Sequence, residues 1–226
     1  MKKVIIACEG QTEEAFVKRL LYGELWPKEV FAEPRLIPTS SHGRGGALKG
    51  QRVLRFLRNT LREQHNTYVT TFFDLVSLPA DFLGLAGISA TTDPIDCATR
   101  IESAFHDVVV RKTECRSERF FPHIQPYEFE ALLFSDTSCF AEAEPAWEAF
   151  VGKLLSIRKS SKGPEYINDG INTHPSARLR DLLRPRYKKV IHGTKVSTKI
   201  GIACMRSECQ HFDGWLKRIE NLPELD

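Results

Sequence analysis

Glu9, Asp74 and Glu128 each stand where a short apolar stretch gives out, residues 3–8, 68–75 and 119–125 respectively. Carboxylates gathered at one place repel one another unless a cation lies between them. All-oxygen donors suit a hard divalent ion, Mg²⁺ or Mn²⁺, which keeps open positions for substrate phosphates. Such an ion can polarise a phosphodiester and stabilise charge on the leaving oxygen. In this reading Glu9 is a ligand or general base, and Asp74 and Glu128 anchor the ion.

Two further carboxylates compete for the same role. Asp81 follows Pro79 in a loop long enough to fold back. Glu130 lies two residues beyond Glu128, so on a helix only one of the pair reaches the ion, whereas in extended chain both do. Glu128, nearer the strand end, is the one taken as catalytic. His42 and Arg44 lie in the glycine-rich run 40–46. They are candidates for a proton shuttle and a phosphate contact, although the run is neither a P-loop nor a dinucleotide fingerprint.

Residues 3–8, 34–39, 68–75 and 119–125 read as strands, and apolar spacing predicts helices after residue 12 and over 49–64. Asp93-Pro94 opens another helix, with a cap residue before proline, and 127–134 reads as a helix directly after the fourth strand. Alternation of this kind predicts an α/β fold with a mostly parallel sheet flanked by helices. Ligands then bind beyond the carboxyl ends of the strands. That rule brings Glu9, Asp74 and Glu128 to one edge.

The alternation stops near residue 136, dividing the sequence into an α/β core over 1–136 and a mainly helical, basic appendage over 137–226. Helices are expected over 146–158, 176–183, 198–205 and 208–219. The charge is segregated in the same sense. Residues 1–150 hold 17 Lys/Arg against 21 Asp/Glu, and 151–219 hold 15 against 5, within an overall net charge of +3. A basic tract of this kind suits a polyanion, and Arg184, Arg186, Lys188 and Lys189 are its candidate nucleic-acid contacts.

No apolar run approaches the ~20 residues that cross a bilayer, and the N-terminal apolar stretch is too short for a secretory signal. A cytoplasmic protein is expected, with its six cysteines as free thiols. Cys204, Cys209 and His211 fall one ligand short of a structural zinc site.

Glu9-Gly10-Gln11-Thr12-Glu13 after a strand and before a helix resembles the opening of TOPRIM domains, the metal-binding fold of primases, topoisomerases and related nucleases. The chain resembles more closely an uncharacterised bacterial TOPRIM-like family. The likeness rests on that motif, on residues 74–82 (DLVSLPADF), on 128–136 (EFEALLFSD), and on Ile200-Gly201, Cys209, His211-Phe212-Asp213 and Trp215-Leu216. It implies a Mg²⁺-dependent nuclease acting on DNA or RNA, encoded beside an ABC-type or AAA ATPase in anti-phage defence. TOPRIM domains carry Asp-x-Asp at the end of strand three, where this chain has Asp74-Leu75-Val76, so Asp81 or Glu128 has to supply the second carboxylate. The rival expectation is a non-enzymatic module on the same scaffold that regulates the ATPase.

Overall fold

A computed structural model describes residues 1–38, 48–85, 93–168 and 172–225. Three crossovers build a parallel sheet from β1 (Lys2–Cys8), β2 (Val30–Leu36), β3 (Thr67–Asp74), β4 (Phe120–Phe121) and β5 (Ile124–Gln125). The order is β2-β1-β3-β4, with β5 also on β3, and every pairing is parallel. The chain leaves β1 for one neighbour and later returns on its other side. The switch point therefore falls between the carboxyl ends of β1 and β3.

Strand periodicity sorts the side chains. Val4, Ile6 and Cys8 of β1 and Tyr68 and Phe72 of β3 join one apolar cluster, while Ile5, Ala7, Val69 and Phe73 join another on the opposite face. The second face is covered by two long helices, which sequence order places after two short ones. Those are α1 (Gln11–Phe16) and α2 (Tyr22–Leu25), linked by a π-helical turn at Val17–Leu21. The helix α3 (Gly50–Glu63) buries Val53, Leu57 and Leu61, and α4 (Pro94–Thr113) buries Ala98, Ile101, Phe105 and Val109. Asp93 caps α4 as expected, its Oδ1 accepting the N–H groups of Ile95 at 2.9 Å and Asp96 at 3.1 Å.

Helices dominate after residue 138: α5 (Cys139–Ala143), α6 (Val151–Lys159), α7 (Pro175–Leu182), α8 (Thr194–Ile200), α9 (Ile202–Glu208) and α10 (Gln210–Glu220). They cover the first face, where Phe212, Trp215 and Leu216 share a cluster with Phe16, Phe72 and Phe121. Asp74 has the same parity as Phe72, so its carboxyl points towards these helices.

Several boundaries differ from the sequence reading. The second strand is Val30–Leu36 rather than 34–39. Pro34 sits inside it opposite Ile6, tolerated because β2 pairs only with β1 and leaves its other edge open. The expected fourth strand is two short pieces, because Pro122 has no N–H for the ladder. The hydroxyl of Thr71 takes over there, donating to the His123 carbonyl and accepting its N–H, both at 2.9 Å. Residues 127–134 do not form an α-helix; a 3₁₀ segment runs over Phe129–Ser135. The expected helix over 198–205 is two helices, broken at Gly201, whose φ of 77° lies in the left-handed region open to glycine. Among the described residues no helix is long and apolar enough to cross a membrane.

Candidate metal centre

At the carboxyl end of β3 the chain must place an acid on the C-terminal-helix face, and Asp74 does so while almost fully buried. Its Oδ1 accepts the Phe129 N–H at 2.7 Å, which ties the strand end to the 3₁₀ segment. Just before that segment Tyr127 adopts a φ of 57°. A bulky residue in the left-handed region costs on the order of 1–3 kcal/mol and persists only where its surroundings hold it. Here the Tyr127 carbonyl accepts the Val76 N–H at 3.1 Å. The reversal delivers Glu128 in extended conformation and Glu130 in the first 3₁₀ turn. Both therefore enter the site. Ligand oxygens of Asp74, Glu128 and Glu130 all lie within 4.8 Å of one another, and all three residues are buried.

Each carboxylate has its own environment. Glu128 Oε2 accepts the Ser176 N–H at 2.8 Å and faces His174 Nδ1 at 3.1 Å, while Oε1 accepts the Ser176 hydroxyl at 2.9 Å. Burial pushes its pKa upward, but Lys189, the Ser176 N–H and His174 together hold it below the ordinary value. Glu130 has no exposed surface. It meets Lys189 Nζ at 3.0 Å and the Tyr187 hydroxyl at 3.3 Å. Gly193 backs onto this tyrosine so closely that a Cβ there would stand 2.9 Å from the hydroxyl. Burial, and then the charge of Glu128, raise Glu130; burial, and then Glu13, raise Asp74 well above its usual range.

Glu9 follows β1 at the neighbouring strand end. Burial raises its pKa, against the lowering influence of Ser77, Lys189 and the Asp74 backbone. Glu9 Oε2 is enclosed without any hydrogen-bond partner among the described residues. Glu13 completes the group: its Oε2 folds back to accept the Gly10 N–H at 2.9 Å, and burial with the charges of Glu9 and Glu130 lifts it to about 7.

Lys189 departs from its basic neighbours. The sequence places it on a phosphate-binding surface with its neighbours, yet its ammonium points inward, 3.0 Å from Glu130 and 3.7 Å from Glu128. Burial alone would lower its pKa, but Glu130, Asp74 and Glu128 raise it above the ordinary value. Arg184, Arg186 and Lys188 remain exposed beside it. Asp81 does not join the cluster. Its side chain is exposed, and its carbonyl packs where Gly50 opens α3, 2.6 Å from the position a Cβ would take. His42 and Arg44 lie outside the described residues. Glu13, Tyr187, His174 and Ser176 were not picked out as site residues in the sequence. Only Glu13 carries a signal, three residues after Gly10 at the start of α1, at the spacing of a capping box.

The donor set fits a hard divalent cation: three carboxylates from Asp74, Glu128 and Glu130, all oxygen, with Glu9 electrostatically coupled to them and carrying one enclosed, unpartnered oxygen. Lys189 is the ammonium among them.

Folding and proton uptake are linked here. Glu13 is raised from 4.5 to about 7, so the folded state binds its proton more tightly than the unfolded state. The corresponding stability is present at acid pH and is lost as pH rises through that window. Glu13→Gln, measured by urea unfolding in chelator, is expected to remove roughly 2–3 kcal/mol of the decline between pH 5 and 8. An unchanged decline would show that Glu13 does not titrate there.

Fold and site together define an α/β protein with a parallel sheet and a buried carboxylate cluster at its topological switch point. The chain belongs to the DUF4276 family, a domain of unknown function, which matches residues 8–220. No curated protein and no solved structure matches the chain.

Proposed function

We propose that this protein is a Mg²⁺- or Mn²⁺-dependent nuclease of TOPRIM-like type, acting on DNA or RNA phosphodiesters. The observation that carries the reading is the convergence of Asp74, Glu128 and Glu130 at the switch point, with Glu9 beside them and its Oε2 enclosed and unpartnered. These four would hold the ion, which when bound supplies charge stabilisation at the phosphoryl oxygens. Ser176 and His174 orient Glu128, and the Phe129 N–H orients Asp74. Lys189 neutralises the cluster in the absence of an ion. Its side chain is 39% exposed, so it can turn to a substrate phosphate once an ion takes over its carboxylates. Arg184, Arg186 and Lys188 supply backbone-phosphate contacts. The resemblance carries the reading further, to a cytoplasmic anti-phage effector working with an ABC-type or AAA ATPase.

The test is cleavage of single- and double-stranded DNA and RNA by the purified protein with Mg²⁺ or Mn²⁺. Activity is expected to vanish in Glu9→Gln. A wild-type protein inert towards all four substrates with both ions, alone and with its ATPase, would sink the enzymatic reading.

A second reading is a non-enzymatic module that regulates the ATPase. The pairing of Lys189 with Glu130 favours it, since an internal ammonium can neutralise the site permanently. The basic surface separates contact with nucleic acid from contact with protein. Duplex affinity is expected to fall with log[salt] at a slope of about −0.9 per phosphate neutralised. Arg184→Ala, Arg186→Ala and Lys188→Ala combined should flatten that slope by about 2–3. Full salt dependence in this variant would move the nucleic-acid contact elsewhere.

A further inference from the structure

A second polar cluster lies near the break between β4 and β5. Glu102 of α4, His123 and His211 of α10 bring one ligand atom each to within 4.8 Å of the others. The interruption at Pro122 sets His123 into the interior, where it is 2% exposed. Its ring stacks on Trp215 with centroids 4.5 Å apart and lies 5.0 Å from the ring of His211.

The hydrogen-bond chain behind His123 fixes which nitrogen carries its proton. Glu165 accepts the N–H groups of His211 at 3.0 Å and Phe212 at 3.1 Å, so it acts as an acceptor. It also accepts from Gln125 Nε2 at 3.2 Å, which orients the amide. Gln125 Oε1 consequently faces His123 Nε2, at 3.3 Å, and draws the ring proton to that nitrogen. The Nδ1 lone pair of the neutral ring is left aimed at Glu102 Oε1, 3.6 Å away. His211 Nε2 approaches the same oxygen at 2.8 Å. Glu102 Oε1 already accepts the Ile124 N–H at 2.7 Å, whereas the His123 Nδ1 lone pair receives no proton from Glu102; a metal ion bound here would replace the proton that His211 Nε2 and Glu102 share. A cavity of about 360 Å³ opens onto these three side chains and is also lined by Thr99, Pro122 and Arg218.

We propose that Glu102, His123 Nδ1 and His211 Nε2 form a site for a transition-metal ion of the Zn²⁺ class, with a remaining coordination position open to this cavity. Two imidazoles and one carboxylate select such an ion over Mg²⁺. The relay from His123 through Gln125 to Glu165 is the outer-shell arrangement that fixes a ligating histidine's tautomer. The site is separate from the carboxylate cluster, whose donors are all oxygen.

Co²⁺ is the probe, added to the chelator-treated full chain. One equivalent is expected to give visible d–d absorption with no thiolate charge-transfer band, and Zn²⁺ should displace it. His211→Gln should abolish the absorption. Gln125→Leu, which touches no ligand atom of the ion, should weaken binding by about 10- to 100-fold. Asp74→Asn should leave the spectrum intact. The proposal is overturned by a wild-type protein with no d–d band, by a thiolate band placing the ion on cysteines, or by a spectrum unchanged in His211→Gln. The wild-type spectrum decides by itself if a variant fails to fold.

Discussion

Asp74→Asn is expected to leave the metal-free protein as stable as the wild type or more so, and to erase the stabilisation that Mn²⁺ confers. Asp74 is buried against Glu13, Glu130 and Glu9, and its pKa is raised first by burial and then by those charges. The amide removes one member of the repelling group. Its oxygen can still accept the Phe129 N–H that Asp74 accepts at 2.7 Å. In the wild type an ion at 100 times its Kd adds about 2.7 kcal/mol by binding only the folded state. For a chain of this size that is a rise in Tm of roughly 5–11 °C. The measurement is a pair of melting curves, in chelator and in Mn²⁺, with Glu102→Gln as a control that should keep the full rise. A rise that survives Asp74→Asn would place the ion away from the switch point.

Lys189→Met should be the most damaging single change at the site. Glu130 is fully buried and Lys189 is 39% exposed, so removing the ammonium should cost between the roughly 1 kcal/mol of a surface pair and the roughly 3–5 kcal/mol of a buried one. Here several carboxylates would be left, with Glu13, Glu130 and Asp74 already raised by burial. The sign with pH follows. Their folded-state pKa values lie above the unfolded ones, so the stability they contribute is lost as pH rises through the folded-state values, about 7 for Glu13. The defect should therefore be largest at pH 8 and shrink towards pH 5. Mn²⁺ should rescue the variant more than it helps the wild type, because the ion no longer competes with an ammonium. Urea unfolding at the two pH values, with and without Mn²⁺, reads all three effects. A loss below about 1 kcal/mol at pH 8 would fit a surface pair and would remove Lys189 from the cluster.

The parallel sheet is legible in the sequence, and so is the approach of Asp74 and Glu128 to one edge, because both follow from local pattern and one topological rule. Strand parity even explains which face Asp74 occupies. The fate of Lys189 was not legible: among the many basic residues after 150, only the tertiary path of residues 187–193 turns this one inward. Glu128 and Glu130 could not be separated from sequence, since the answer depended on a left-handed Tyr127 that allows both to enter. Asp81 was drawn in by its distance along the chain, which does not report the direction a loop takes. His211 was grouped with Cys204 and Cys209 by proximity in sequence. In the fold it turns to Glu102, 109 residues away, and the two cysteines contact Ser135.

The pairing of Glu130 with Lys189 spans 59 residues, and it sets an order of events during synthesis. At ribosomal speeds of about 5–20 residues per second, the carboxylates precede their ammonium by roughly 3–12 s. Throughout that interval β1, β3 and the 3₁₀ segment can approach one another only with protons or a bound cation between their acids. The nascent chain thus meets an electrostatic checkpoint that its own C-terminal third releases. Protons, or a cation where one is available, would be the first occupants of the cluster and Lys189 the second.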